Sequence, residues 1–201
     1  MSGSLDDVST AFLDWQGPHR FVAGPQSVFV APSSSASGLY LWVVPTPRGP
    51  LVLRVGETGK PFWQRHHHHL EAFQEGQYPI YRAASLARGR PDPIHPGYVG
   101  DPRRRALLRS RFAGKRTRIT SELIATLSLI TIYLAPISVP LRIRQRIQTA
   151  LMQRLRALPG QSTRCLYGRG EWFPGLASEV PLVVRSSTEG RVPVVEGEFE
   201  V

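Results

Sequence analysis

The chain has 201 residues, of which 41% are apolar, and a formal net charge of +10 at pH 7. That is enough apolar sequence for one buried core, and the charge points to a polyanionic partner such as nucleic acid or an acidic membrane. Its single cysteine, Cys165, excludes an intrachain disulfide and a cysteine-rich zinc site, which fits a reducing cytoplasm.

In chain order, the opening "MSGSLDDVSTAFLDW" carries Asp6 and Asp7 and has no basic start followed by an apolar run, so it does not read as a signal peptide. Residues 1–37 read as an extension in which "SVFVA" (27–31) is a short strand. "GLYLWVV" (38–44) and "PLVLRV" (50–55) are β-branched or aromatic runs separated by the turn cluster "PTPRG", which predicts an antiparallel hairpin. A helix over 59–75 follows, with Thr58 as N-cap, Pro61 in the first turn, and Phe62, Leu70 and Phe73 at helical spacing before Gly76.

From Tyr81 to Arg118 the chain is rich in Pro, Gly and Arg and reads as an insertion (about 82–118) with one short basic helix; eight Lys or Arg and no acid lie between Pro102 and Arg118. The uncharged run "LIATLSLITIYLAPISVPL" (123–141) has the length of a membrane span. Its Thr and Ser residues, Pro136, Pro140 and its β-branched content instead fit a buried strand at about 127–135. "PLRIRQRIQTALMQRLRAL" is an amphipathic helix whose apolar stripe is Ile143, Ile147, Leu151, Leu155 and Leu158. Residues 159–201 read as a C-terminal extension with "VPLVVRS" and "RVPVVEGEFEV" as edge strands.

The stretch "GETGKPFWQRHHHHL" (56–70) holds four consecutive histidines. Residues four apart share a helical face, so Arg65 and His69 point the same way while His66, His67 and His68 fan around the axis. No two of the four are four apart, so they do not make a helical zinc pair. A guanidinium offers a fork that fits phosphate, and a neighbouring imidazole can share a proton near neutral pH.

The order hairpin, helix, strand, helix, with these residues in it, resembles the GIY-YIG nuclease superfamily over about residues 38–158. Gly38-Leu39-Tyr40 stands at the first tripeptide and Arg54-Val55-Gly56 at the second; Thr58 matches as well, Arg65 matches the helix arginine, and His69 the histidine of several branches. The resemblance implies an α+β fold with a small mixed or antiparallel three-stranded central sheet flanked by helices. It also implies a metal-dependent DNA endonuclease of the restriction or mobile-element kind, in which Tyr40 and Arg54 activate water and Arg65 and His69 hold the phosphate. Mg²⁺ or Mn²⁺ would sit on a glutamate that opens the helix after the third strand, in a pattern like E-x-A-L-[IM]. Here that pattern is Gln148-Thr149-Ala150-Leu151-Met152. Gln148 then has two readings: a chain that binds DNA or RNA without cutting it, or a Glu-to-Gln change that traps a substrate complex. Glu122 and Glu171 are the other acids near the motif.

The basic residues Arg88, Arg90, Arg103, Arg104, Arg105, Arg109, Arg111, Lys115, Arg116 and Arg118 are the expected nucleic-acid contacts, since arginines packed this densely repel one another unless phosphates lie between them. The expected partner is double-stranded DNA, with no membrane and with a dimer left open; binding to anionic lipid by the basic face is the weaker rival.

Overall fold

The computed structural model describes residues 9–98, 103–157, 173–176, 178–188 and 195–201. In order the elements are β1 (Ser9–His19), β2 (Gly38–Val44), β3 (Leu51–Thr58), α1 (Phe62–Gln74), β4 (Ile80–Tyr81), α2 (Ala83–Leu86), β5 (Pro93–His95), α3 (Arg105–Gly114), α4 (Arg116–Leu129), β6 (Thr131–Pro136), α5 (Leu141–Ala157), β7 (Leu182–Thr188) and β8 (Gly197–Glu200). The class is α+β, as expected. The main sheet has six strands in the order β3-β2-β6-β1-β7-β8, with β4 and β5 forming a separate two-stranded ladder.

The expected three-stranded sheet is one half of this one. Strands β3, β2 and β6 pair antiparallel, but β6 does not end the sheet: β1 pairs with it antiparallel, β7 runs parallel to β1, and β8 closes the far edge antiparallel to β7. An uncovered β6 would expose a row of unpaired backbone groups. The N-terminal segment pairs with them, with Ala11, Leu13 and Trp15 buried on one side of β1 and Phe12 and Asp14 exposed on the other. The indole of Trp15 donates to Ser186 Oγ at 3.0 Å, tying β1 to β7.

All seven residues of β2 are buried, because the strand is central and both its faces are covered. Tyr40, Trp42 and Val44 pack with Phe62 and Phe73 of α1 and with Ile119, Leu123 and Leu127 of α4. Leu39, Leu41 and Val43 pack on the other face with Ile147, Leu151 and Leu155 of α5. Burial of each such large side chain contributes about 1.5–3 kcal/mol. The stripe expected on α5 therefore faces the core; Ile143 is partly buried, and Leu158 lies outside the described residues.

Three local expectations are corrected. Residues 27–31 are not a strand: Ser27 makes an isolated bridge to Arg20, and the chain turns so that Val30 N donates to Ser27 O, while Val28 reaches the core from the turn. The uncharged run is divided between two elements. Helix α4 continues to Leu129, Ile130 is extended, and β6 begins at Thr131, so the strand starts four residues later than expected. Thr120 and Ser128 absorb their hydroxyls by donating to the carbonyls of Arg116 and Ile124, which lets a polar, β-branched segment stay helical. No helix among the described residues is long and apolar enough to cross a membrane. Thr58 does not cap α1. Its hydroxyl accepts from Lys60 N and donates to Lys60 O, and Pro61 stands at the N-cap position.

Candidate functional site

A polar pocket of about 230 Å³ lies at the β3 edge of the sheet, lined by Tyr40, Arg54, Gly56, Glu57, Arg65, Gln145, Gln148 and Phe173. Tyr40 comes from β2, Arg54 and Gly56 from β3, Arg65 from α1 and Gln148 from α5, so the two helices that cover opposite faces of the sheet both reach it. Gly56 is opposite Tyr40 in the β2–β3 ladder, and a Cβ on it would collide with the Tyr40 ring. That close approach is why the second tripeptide ends in glycine here.

The Tyr40 hydroxyl is the hub of the site. Arg54 Nε donates to it at 3.2 Å and Arg65 Nε at 3.3 Å, and it lies 2.8 Å from His69 Nε2. His69 Nδ1 in turn lies 2.9 Å from the hydroxyl of Tyr78. Burial, reinforced by Arg54 and Arg65, holds the His69 imidazole well below its usual pKa, so it is neutral at physiological pH and able to accept a hydrogen bond. Arg54 also stacks over the rings of Tyr40, Trp42 and Tyr78 at 5.9, 5.5 and 5.8 Å. Arg54 is thus held among aromatic faces with its Nε aimed at the hub.

The four histidines divide into three roles. His69 faces the hub. His66 is equally buried, but its Nδ1 lies 2.8 Å from Phe62 O and its Nε2 accepts from the Trp42 indole at 3.2 Å, so it belongs to the core. Burial pushes its pKa down to about 3. His67 and His68 are exposed, with His67 3.4 Å from Glu71. The buried role of His66 was missed in the sequence, although Phe62, His66, His69 and Phe73 fall at helical spacing and all four are buried.

Gln148 stands in the pocket, donating through Nε2 to Val55 O at 3.3 Å. Gln145, one turn earlier on the same face of α5, lines it too, and Glu57 supplies its carboxylate; sequence reasoning named neither, though Glu57 directly follows the second tripeptide. Glu57 is paired with Arg144 Nε at 3.1 Å. The Glu122 carboxylate accepts from Ala83 N and takes no part in the pocket; Glu171 lies outside the described residues. The residues present do not suit Mg²⁺ or Mn²⁺. The lining carboxylate is committed to a guanidinium, two further guanidiniums face the same space, and both glutamines are neutral. Among the described residues no group of three or more His, Cys, Asp or Glu is placed to hold a metal ion. What the pocket offers instead is donors for an anion.

The basic residues named above are all exposed, and the expected single helix is two, α3 and α4, joined at Lys115. Phe112 anchors α3 by packing against Gly76 at the end of α1 and against the His95 ring. Arg65 is eleven residues before Gly76, so α3 meets α1 about 16 Å along the helix axis from the pocket. Arg105 stacks over the Tyr98 ring at 5.6 Å. Arg88 and Arg90 follow α2, which packs on α4.

No family model matches this chain, and comparison with curated proteins and with solved structures finds no match.

Proposed function

We propose that this chain is an endonuclease scaffold of the GIY-YIG type that takes a phosphate of double-stranded DNA into the Tyr40 pocket, and that Gln148 holds it at the binding stage. The observation that carries this reading is the Tyr40 hydroxyl, bonded to a neutral imidazole on one side and to two guanidiniums from different elements on the other. Arg65 and Arg54 offer N–H groups to a phosphate oxygen, and charge developing on the phosphoryl group in the transition state is where such donors count most. In the Gln148→Glu form a bound phosphate would draw the Arg65 N–H off the Tyr40 oxygen and offset the charge of both guanidiniums, so that an attacking water would give its proton to the freed lone pair of Tyr40 as the Tyr40 proton passes to His69 Nε2. The new P–O bond forms as the bond to the leaving alcohol breaks, and the leaving oxygen takes a proton from solvent.

The exposed arginines of α3 and α4 would hold the duplex about five base pairs from the pocket, given the ~16 Å separation. Divalent-cation chemistry would enter only with a carboxylate at position 148, because the residues present do not suit it. The experiment is Gln148→Glu, assayed for cleavage of a DNA library. A second reading, a binding module without catalysis, is favoured by the neutral amide of Gln148 being spent on Val55 O. The same experiment separates the two.

A further inference from the structure

We infer that Tyr78 is a positioning residue: it accepts the Nδ1 hydrogen of His69 and so supports the tautomer, required by the Tyr40 hub, in which Nε2 is the acceptor that faces Tyr40. Tyr78 belongs to no motif and lies beyond α1, in the loop that Gly76 opens with a left-handed backbone. The inference rests on the proposed reading of the pocket for its consequence, but not for its test.

The argument is an accounting of protons and lone pairs. A phenol oxygen has two lone pairs and one proton. The two lone pairs of Tyr40 are taken by the Nε–H groups of Arg54 and Arg65, neither of which can act as an acceptor. The one proton of Tyr40 is therefore donated to His69 Nε2, which must carry no hydrogen of its own. A neutral imidazole then bears its hydrogen on Nδ1, and the only described partner of Nδ1 is the Tyr78 oxygen at 2.9 Å. Burial and the two guanidiniums disfavour the doubly protonated ring, which would remove this choice.

Tyr78 is itself held for the task. Its ring packs edge-on against Phe73 with centroids 5.0 Å apart, lies 5.8 Å from the His69 ring, and is stacked by Arg54. Arg54 also bonds its hydroxyl, so one guanidinium contacts both tyrosines that flank His69. Helix α1 thus supplies the imidazole, and the loop after it supplies the group that orients the imidazole, in the manner of a carboxylate or carbonyl behind a catalytic histidine.

The test reads the tautomer directly and needs no catalytic activity. In long-range ¹H–¹⁵N spectra of the full chain at neutral pH, His69 should show a protonated Nδ1 and a pyridine-type Nε2. Tyr40→Phe and Tyr78→Phe should each move Nε2 toward the mixed position of a ring exchanging between both forms, the first by removing the donor to Nε2 and the second by removing the acceptor of the Nδ1 hydrogen. A protonated Nε2 in the unmodified chain would mean that Tyr40 accepts three N–H groups, and would overturn the inference. So would a tautomer that follows Tyr40→Phe but not Tyr78→Phe. A protonated Nε2 in the unmodified chain overturns the inference even if Tyr78→Phe fails to fold. Loss of DNA cleavage or its absence altogether bears on the function of the pocket, and the tautomer is read independently of it.

Discussion

His66 and His69 lie with ring centroids 6.0 Å apart and are both buried, yet His66 is bonded to the backbone of its own helix and to Trp42, while His69 joins Tyr40 to Tyr78. Substitution should separate them. His67→Ala and His68→Ala should change stability by no more than about 0.5 kcal/mol, as surface substitutions do. His66→Ala should cost about 2–4 kcal/mol, by opening a cavity and removing an acceptor of the Trp42 indole. His69→Gln should retain the fold and DNA binding and, in a Gln148→Glu background, impair cleavage. Denaturant melts of the four variants, read beside DNA binding, check the division; equal effects at all four positions would contradict it.

Acid sensitivity follows from His66. Its pKa is about 3 in the folded chain, against 6.5 for the free side chain. The folded pKa is depressed, so between about pH 6.5 and 3 the unfolded chain binds the extra proton and stability falls as pH is lowered. Above pH 6.5 this contribution is fully present. The charged groups facing His66 are Arg54, Arg65 and His19, all of which oppose its protonation. His66→Phe should flatten the loss of stability across this window while lowering stability at pH 7; an unchanged pH slope would show that other groups govern it.

The basic face should give DNA affinity that drops steeply with salt. Each phosphate contact contributes about −0.9 to the slope of log K against log salt for duplex DNA. Arg105→Ala, Arg109→Ala and Arg116→Ala should each make the slope shallower by about 1 and weaken binding alike across sequences. Binding that is insensitive to salt, or binding to anionic vesicles in preference to DNA, would contradict this assignment.

Much of this architecture is legible in the sequence, and the reasons differ element by element. Strands β2 and β3 are visible as β-branched or aromatic runs on either side of a turn cluster, and helices α1 and α5 because each carries apolar residues at helical spacing. Tyr40, Arg54, Arg65 and Gln148, named from motif positions, line one pocket, and His69 joins it through the Tyr40 hydroxyl. Strand β1 is not legible, because Asp14, Gly17 and Pro18 interrupt it and its parallel partner β7 is more than 160 residues away. The end of α4, residues 127–129, reads as the start of a strand because nearby Thr and Ser lower local helix propensity, a cost that packing of the helix against α2 and β4 overrides. Tyr78, Glu57 and Gln145 enter the site only through the fold. No local spacing announces that a loop tyrosine will reach the second nitrogen of His69.

Gly56→Ala tests whether the pocket depends on the close approach of β3 to Tyr40. A methyl group there meets the Tyr40 ring, so the ring must move and its hydroxyl must leave Arg54, Arg65 or His69. The variant should lose about 1–3 kcal/mol of stability from overpacking and should bind inorganic phosphate more weakly than the unmodified chain. Unchanged phosphate binding would show that the hub is not part of the anion site.

The most direct measurement compares the unmodified chain with Gln148→Glu on a DNA library in Mg²⁺ and in Mn²⁺, with the broken ends mapped. The Glu form should cut, should stop cutting when a chelator is added, and should lose about 10²–10³-fold or more of its rate when Arg65→Ala is combined with it. The unmodified chain should bind the same DNA and leave it intact. Retained binding with no cleavage by the Glu form on any substrate in either metal would contradict the nuclease reading and leave the chain as a nucleic-acid-binding module.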